Sequence, residues 1–198
     1  MLIYESQNFK VISPAQPHID REDGGHIKIV PKVRVSDRTK LSPDQACELI
    51  LLTMLVGEAM MTGLNRRGID VGRINYQENG NWGVFRSSGP YLHIHLYGRA
   101  RSAKIQKYGD ALHLPHRETG FYDGLRPLDE GDIREIKDEI SRLLKTEKYR
   151  SIPEISGRPA GSRSGSDIQA RNGATGGLLS LIHISEPTRL LSISYAVF

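Results

Sequence analysis

The chain has 198 residues, 38% of them apolar, enough for one hydrophobic core of ordinary size. Its formal charge of +4, from 27 Lys and Arg against 23 Asp and Glu, comes without a dense basic stripe interleaved with aromatics, so no nucleic-acid partner is indicated. Cys47 stands alone, which excludes an internal disulfide framework or a Cys-rich zinc site, suits a reducing cytoplasm and reads as a small core residue. The first six residues lack a basic region followed by an apolar run, and no stretch of about 18 apolar residues is seen, so neither export nor membrane insertion is expected.

Phe9 to Ser13 reads as a short strand closed by Pro14 and Pro17, and Asp20 to Gly25 as a polar turn. Ile27, Ile29 and Val30 carry a second strand up to Pro31. Ser42-Pro43-Asp44-Gln45 is a helix start, with Ser as cap, Pro at the first helical position and Gln three residues after the cap. The helix is expected to run to Thr62-Gly63. Its middle, Leu49 to Gly57, is apolar around more of its circumference than a single sheet covers, which leaves a face for a partner subunit or for the N-terminal segment.

Asp70 to Gln77 reads as a third strand, Asn79-Gly80 as a hairpin signal and Trp82 to Arg86 as the start of the return. Ala100 to Arg126 is loop-like. From Asp129 to Lys145 an amphipathic helix places Ile133, Ile136, Ile140, Leu143 and Leu144 on one face. Strands with hairpin adjacency and two main helices give an α+β fold with an antiparallel sheet over residues 1–150. Residues 151–177 have the Ser, Gly, Arg and Pro content of a linker or a misassembled segment. Leu179 to Arg189 and Ile193 to Phe198 resemble a translated sequencing-library adapter, so residues 178–198 read as an assembly artefact.

The run Tyr91-Leu92-His93-Ile94-His95-Leu96-Tyr97 carries the chemistry. Alternation puts Tyr91, His93, His95 and Tyr97 on one face and Leu92, Ile94 and Leu96 on the other. Two imidazoles side by side offer a nucleophile or metal ligand beside a proton donor. One residue-level alternative is a metal site in which His113, His116 or Glu118 completes the pair.

This run, with the Gly98-Arg99 that follows it, resembles the signature of the histidine triad (HIT) family: three alternating histidines on a strand ending in Gly-Arg. Here Tyr91 stands at the first histidine position. Gly25-His26-Ile27-Lys28-Ile29-Val30-Pro31-Lys32 is similar to the family's Gly-His, apolar strand, Pro-Lys segment, and the resemblance covers about residues 8 to 145. It implies a homodimer formed through the first helix and its strand. It also implies hydrolysis or nucleotidyl transfer at the α-phosphate of a nucleotide, with His93 as nucleophile, His95 on the phosphate and leaving-group side, and no metal or other cofactor.

By the same resemblance Ser88 contacts the phosphate or leaving group, Asn75 (or Asn81) holds the α-phosphate, and Phe9, Val11 and Ile29 lie against the base. Arg34 stands where the family often has a further histidine and would supply a fork-shaped cation for phosphate. Tyr91 enters the catalytic set as a hydrogen-bond donor, because a phenol with a reference pKa of about 10 does not shuttle protons near neutrality. Lys32 reads as a surface charge, Arg99 as a surface or subunit contact, and His26 as a structural residue at a strand start. The alternative class is a nucleotide-binding protein without useful turnover, acting as a sensor or interaction module.

Overall fold

The computed structural model of the chain describes residues 1–150 apart from 79, 81, 82, 85 and 86. The expected boundary after residue 150, the stretch 151–177 and the adapter-like residues 178–198 lie outside the described residues, as do Asn79, Asn81, Trp82, Phe85 and Arg86 of the expected hairpin.

Alternating polarity sorts one five-stranded antiparallel sheet into two faces. Its strands are β1 (Leu2–Glu5), β2 (Phe9–Ile12), β3 (His26–Pro31), β4 (Val71–Glu78) and β5 (Ile94–Ala100), in the order β1-β2-β3-β5-β4. Register places Val11 beside Ile29, Ile29 beside Ile94 and Ile27 beside Leu96, so one face is apolar across the central strands. Directly opposed residues share a face. The other face therefore carries a Lys28, His95 and Gln77 row next to a His26, Tyr97 and Asn75 row.

The apolar face packs on α1 (Pro43–Arg66), whose Leu49, Leu52, Leu55, Val56, Ala59 and Met60 join Phe9, Val11, Ile27 and Ile29 in one buried cluster. Burying each such aliphatic side chain contributes roughly 1.5–3 kcal/mol. The expected capping box is present: Gln45 N–H donates to Ser42 Oγ at 3.2 Å, and Ser42 N–H donates to Gln45 Oε1 at 3.0 Å. Ile133, Ile136, Ile140 and Leu143 of α2 (Glu130–Leu143) add to the same core, and α3 (Glu147–Arg150) buries Tyr149 beneath it.

Three sequence expectations change. β1 was not anticipated; it pairs Tyr4 with Val11 and makes the sheet five-stranded. Cys47 is exposed on α1 rather than buried, because it shares the outward stripe of the helix with Ile50, Met54 and Met61. By length and mean hydropathy (1.6), α1 is apolar enough to cross a membrane, contrary to the expectation that no such stretch exists; here its inner face is core.

The turn before β3 is pressed onto β5. Gly98 N–H donates to the Gly25 carbonyl at 3.1 Å, and a Cβ on Gly98 would stand 2.0 Å from the Gly24 oxygen. Gly24 itself has φ of +122°, a region that disfavours side chains. This close approach sets the first residue of β3, His26, directly against Tyr97.

Candidate functional site

His95 lies in β5 and is buried, whereas His93 precedes the strand and is half-buried. Their rings meet edge to face with centroids 4.6 Å apart. His26 reaches across from β3, its Nε2 2.8 Å from His95 Nδ1. Over both lies His18, from the connection between β2 and β3, with centroids 4.9 Å from His26 and 5.2 Å from His95.

Hydrogen-bond partners fix the tautomers. The His18 main-chain N–H donates to His26 Nδ1 at 3.1 Å, so that nitrogen carries a lone pair. Burial, then the neighbouring His95 and His18, holds the His26 pKa well below the ordinary imidazole value, so the ring is neutral and its proton sits on Nε2. His26 therefore donates to His95 Nδ1. His95, pushed down to about 2 mainly by burial and then by His93, is neutral as well and keeps its proton on Nε2. That N–H remains available for a ligand oxygen.

His93 is set the opposite way. Its Nδ1 is 2.9 Å from the Tyr91 main-chain carbonyl, which only accepts, so Nδ1 holds the proton and Nε2 presents its lone pair. Its pKa is lowered by burial, with the Tyr91 carbonyl bond and Glu78 pulling upward. The pair thus offers a nucleophilic nitrogen beside a neutral N–H donor.

A second arm runs from His18. Its Nε2 lies 3.2 Å from Arg117 Nη2, a donor only, so the His18 proton is on Nδ1 and is donated to the Tyr97 oxygen at 2.7 Å. Burial, followed by Arg117 and Lys28, holds His18 at about 4. Lys28, opposite His95 in register, is lowered by burial and then by Arg117.

His18, His26 and His95 bring ligating nitrogens within 4.8 Å of one another, so these are the described residues best placed to hold a metal ion. Five of the six ring nitrogens are already engaged with Tyr97, Arg117, the His18 main chain or each other. Binding a metal would break that chain beside a guanidinium. The His113 and His116 alternative is not what gathers: His116 faces Glu118 at 3.4 Å, and the His113 ring meets Phe121.

Other expected site residues are placed as follows. Tyr91 stacks on His93 at 4.6 Å, and what holds His93 is its carbonyl rather than its phenol. Arg34 donates to the Ser88 and Gly89 carbonyls at 2.6 and 2.8 Å and sits 5.1 Å over the Tyr91 ring, so it pins the turn instead of presenting a fork to phosphate. Ser88 is exposed in that turn. Asn75 is half-buried opposite Tyr97 on the histidine face.

Phe9 is corrected: with Val11 and Ile29 it faces α1, on the opposite side of the sheet from His93, because alternation from Ile12 and Lys28 gives the histidine face to those residues. Arg99 is buried rather than superficial and donates to the Lys107 and Asp110 carbonyls. Lys32 makes a surface ion pair with Glu5, as a surface charge would.

Sequence reasoning missed His18 and Arg117, which come from connections with no period, and Lys28. Only Lys28 left a signal. It shares a face with His26 in a strand whose other members are apolar. An open groove bounded by Met61, Asn65, Arg66, Gly72 and Arg101 lies at the far end of β4, away from this chemistry.

No protein-family model matches the chain, and no curated protein does. Solved structures do. A hypothetical histidine triad nucleotide-binding protein from Sulfolobus tokodaii is similar over 74% of this chain and 87% of its own, at 17% identity and a TM-score of 0.50. A histidine triad protein from Marinobacter aquaeolei is 17% identical over 73% of this chain and 88% of its own, with a TM-score of 0.49. A zinc-bound histidine triad family protein from Mycobacterium smegmatis is 20% identical over 72% and 84%, with a TM-score of 0.46. On the first of these, the chain has the α+β fold of histidine triad proteins.

Proposed function

We propose that this chain is a histidine triad nucleotide hydrolase or nucleotidyl transferase that works at an α-phosphate through His93. The observation that carries the reading is the opposed tautomers of neighbouring rings, a lone pair on His93 Nε2 and a proton on His95 Nε2. His93 Nε2 attacks phosphorus, an N–P bond forms, and the bond to the leaving group breaks with its electron pair on the departing atom. His95 donates to a non-bridging oxygen as charge redistributes. Water then attacks phosphorus, the N–P bond breaks back to His93, and a nucleoside monophosphate and one proton are released. A transferase would use another hydroxyl in place of water.

Asn75 supports the α-phosphate from the histidine face, and Ile12 and Val30, half-buried there, take the base contact once assigned to Phe9. No step calls for a metal. The exposed Ile50, Met54 and Met61 on α1 beside the edge strand β4 support a homodimer built across that edge.

The test is release of AMP from diadenosine tetraphosphate and from adenosine phosphoramidate by the full chain and by His93→Ala. Turnover that His93→Ala abolishes supports the enzyme. Nucleotide binding with no turnover in either form would replace it with the sensor or interaction module.

A further inference from the structure

The histidine cluster is flanked by two cations from different elements. Lys28 rises from the sheet next to His95, and Arg117 descends from the 3-10 turn Arg117–Thr119, where it donates to His18 Nε2 and to Gln16. Lys28 stands opposite His95 in register, and the His18 ring that Arg117 meets lies 4.9 Å from His26 and 5.2 Å from His95, so the two cations border the same three rings and both lower their pKa.

Neither has a carboxylate within 4 Å among the described residues, whereas Arg21, Arg66, Arg67, Arg126 and Arg142 each do. The acid felt by His93, Glu78, is held by Arg38 at 2.6 Å. A half-buried ammonium and a guanidinium bordering one histidine cluster, neither with a carboxylate partner among the described residues, carry an uncompensated desolvation and repulsion cost. An anion lying between them would remove it.

We propose that Lys28 and Arg117 clamp the phosphates beyond the one attacked, so that the substrates are nucleotides whose leaving group is a polyphosphate. This rests on the reading of His93 as nucleophile and extends it to the leaving group. The electron pair of the broken P–O bond departs on a phosphate oxygen, whose pKa of about 6 lets it leave as an anion at neutral pH without taking a proton. A tyrosine at position 91, where the resemblance would put an imidazole, fits a leaving group that needs no acid. An amine leaving group would need one.

Calorimetric titration of the full chain with AMP, ATP and inorganic tripolyphosphate, in metal-free buffer, tests the clamp by binding rather than turnover. ATP is expected to bind at least about tenfold more tightly than AMP, as one or two charge-assisted contacts provide. Lys28→Met and Arg117→Gln should each bring the ratio of ATP to AMP affinity most of the way to one, and Lys28→Arg and Arg117→Lys should retain it. Equal affinity for AMP and ATP in the unaltered chain, or equal weakening of both in the variants, overturns the proposal. Tripolyphosphate separates the two readings. A chain that binds tripolyphosphate through Lys28 and Arg117 but neither nucleotide keeps the anion clamp and removes the nucleotide reading.

Discussion

At the scale of single residues, position 91 carries a tyrosine where the resemblance puts a histidine, and His93 is still held by the main chain there. The resemblance raises doubt because tyrosine stands at a histidine position, yet the atom that orients His93 is the Tyr91 carbonyl, common to every residue. Tyr91→Phe is therefore expected to keep kcat/KM within about threefold, and a loss beyond about thirtyfold would show that the phenol takes part. His26 is different, because its ring fixes the His95 proton on Nε2. His26→Leu should lower kcat/KM about 10²-fold, with His26→Gln, whose amide can donate to His95 Nδ1, recovering part of the loss and the pH profile. That His93, His95 and Asn75 share one face was legible, because alternation acts on strands and on the residue leading into them. The role of Arg34 was not, because a guanidinium that meets backbone carbonyls leaves no trace in sequence spacing.

Among elements, helices and central strands were legible and the connections were not. Caps and apolar periods are local properties, and Ser42 with Gln45, and Asp129 with the face from Ile133 to Leu143, carry them openly. Phe9 went astray for a related reason: its strand was recognised, but which face turns to the histidines depends on the register with β3. The connection holding His18 has no period, so its place over His26 and His95 emerges only once the turn at Gly24 packs on Gly98. Gly98→Ala would force a Cβ into main-chain atoms of Gly24. Urea unfolding should report a loss of about 1–3 kcal/mol, and an unchanged midpoint would mean the two segments are not in contact.

For the whole molecule, the neutral histidine cluster makes stability depend on pH. His18, at about 4 in the folded chain, has an ordinary value near 6.5 when unfolded; His95 is lowered to about 2, and burial holds His26 well below that ordinary value. The unfolded state therefore binds more protons below about 6.5, and folding stability falls as pH drops from there towards 4, before carboxylates such as Asp20 and Glu139 are protonated. Thermal midpoints should decline across that window, more gently in His18→Gln; a flat profile would mean the rings are solvated. The outward stripe of Ile50, Met54 and Met61 yields a second expectation at this scale. Sedimentation should give a dimer that Met54→Asp converts to monomer, and a monomeric unaltered chain would remove the homodimer.

The most direct test of the central claim is intact-protein mass spectrometry on the full chain, quenched shortly after mixing with diadenosine tetraphosphate or with adenosine phosphoramidate. An adenylyl adduct is expected on the unaltered chain, formed faster from the tetraphosphate, and none on His93→Ala. Product release without an adduct at any quench time, or an adduct that persists in His93→Ala, would contradict nucleophilic attack by His93.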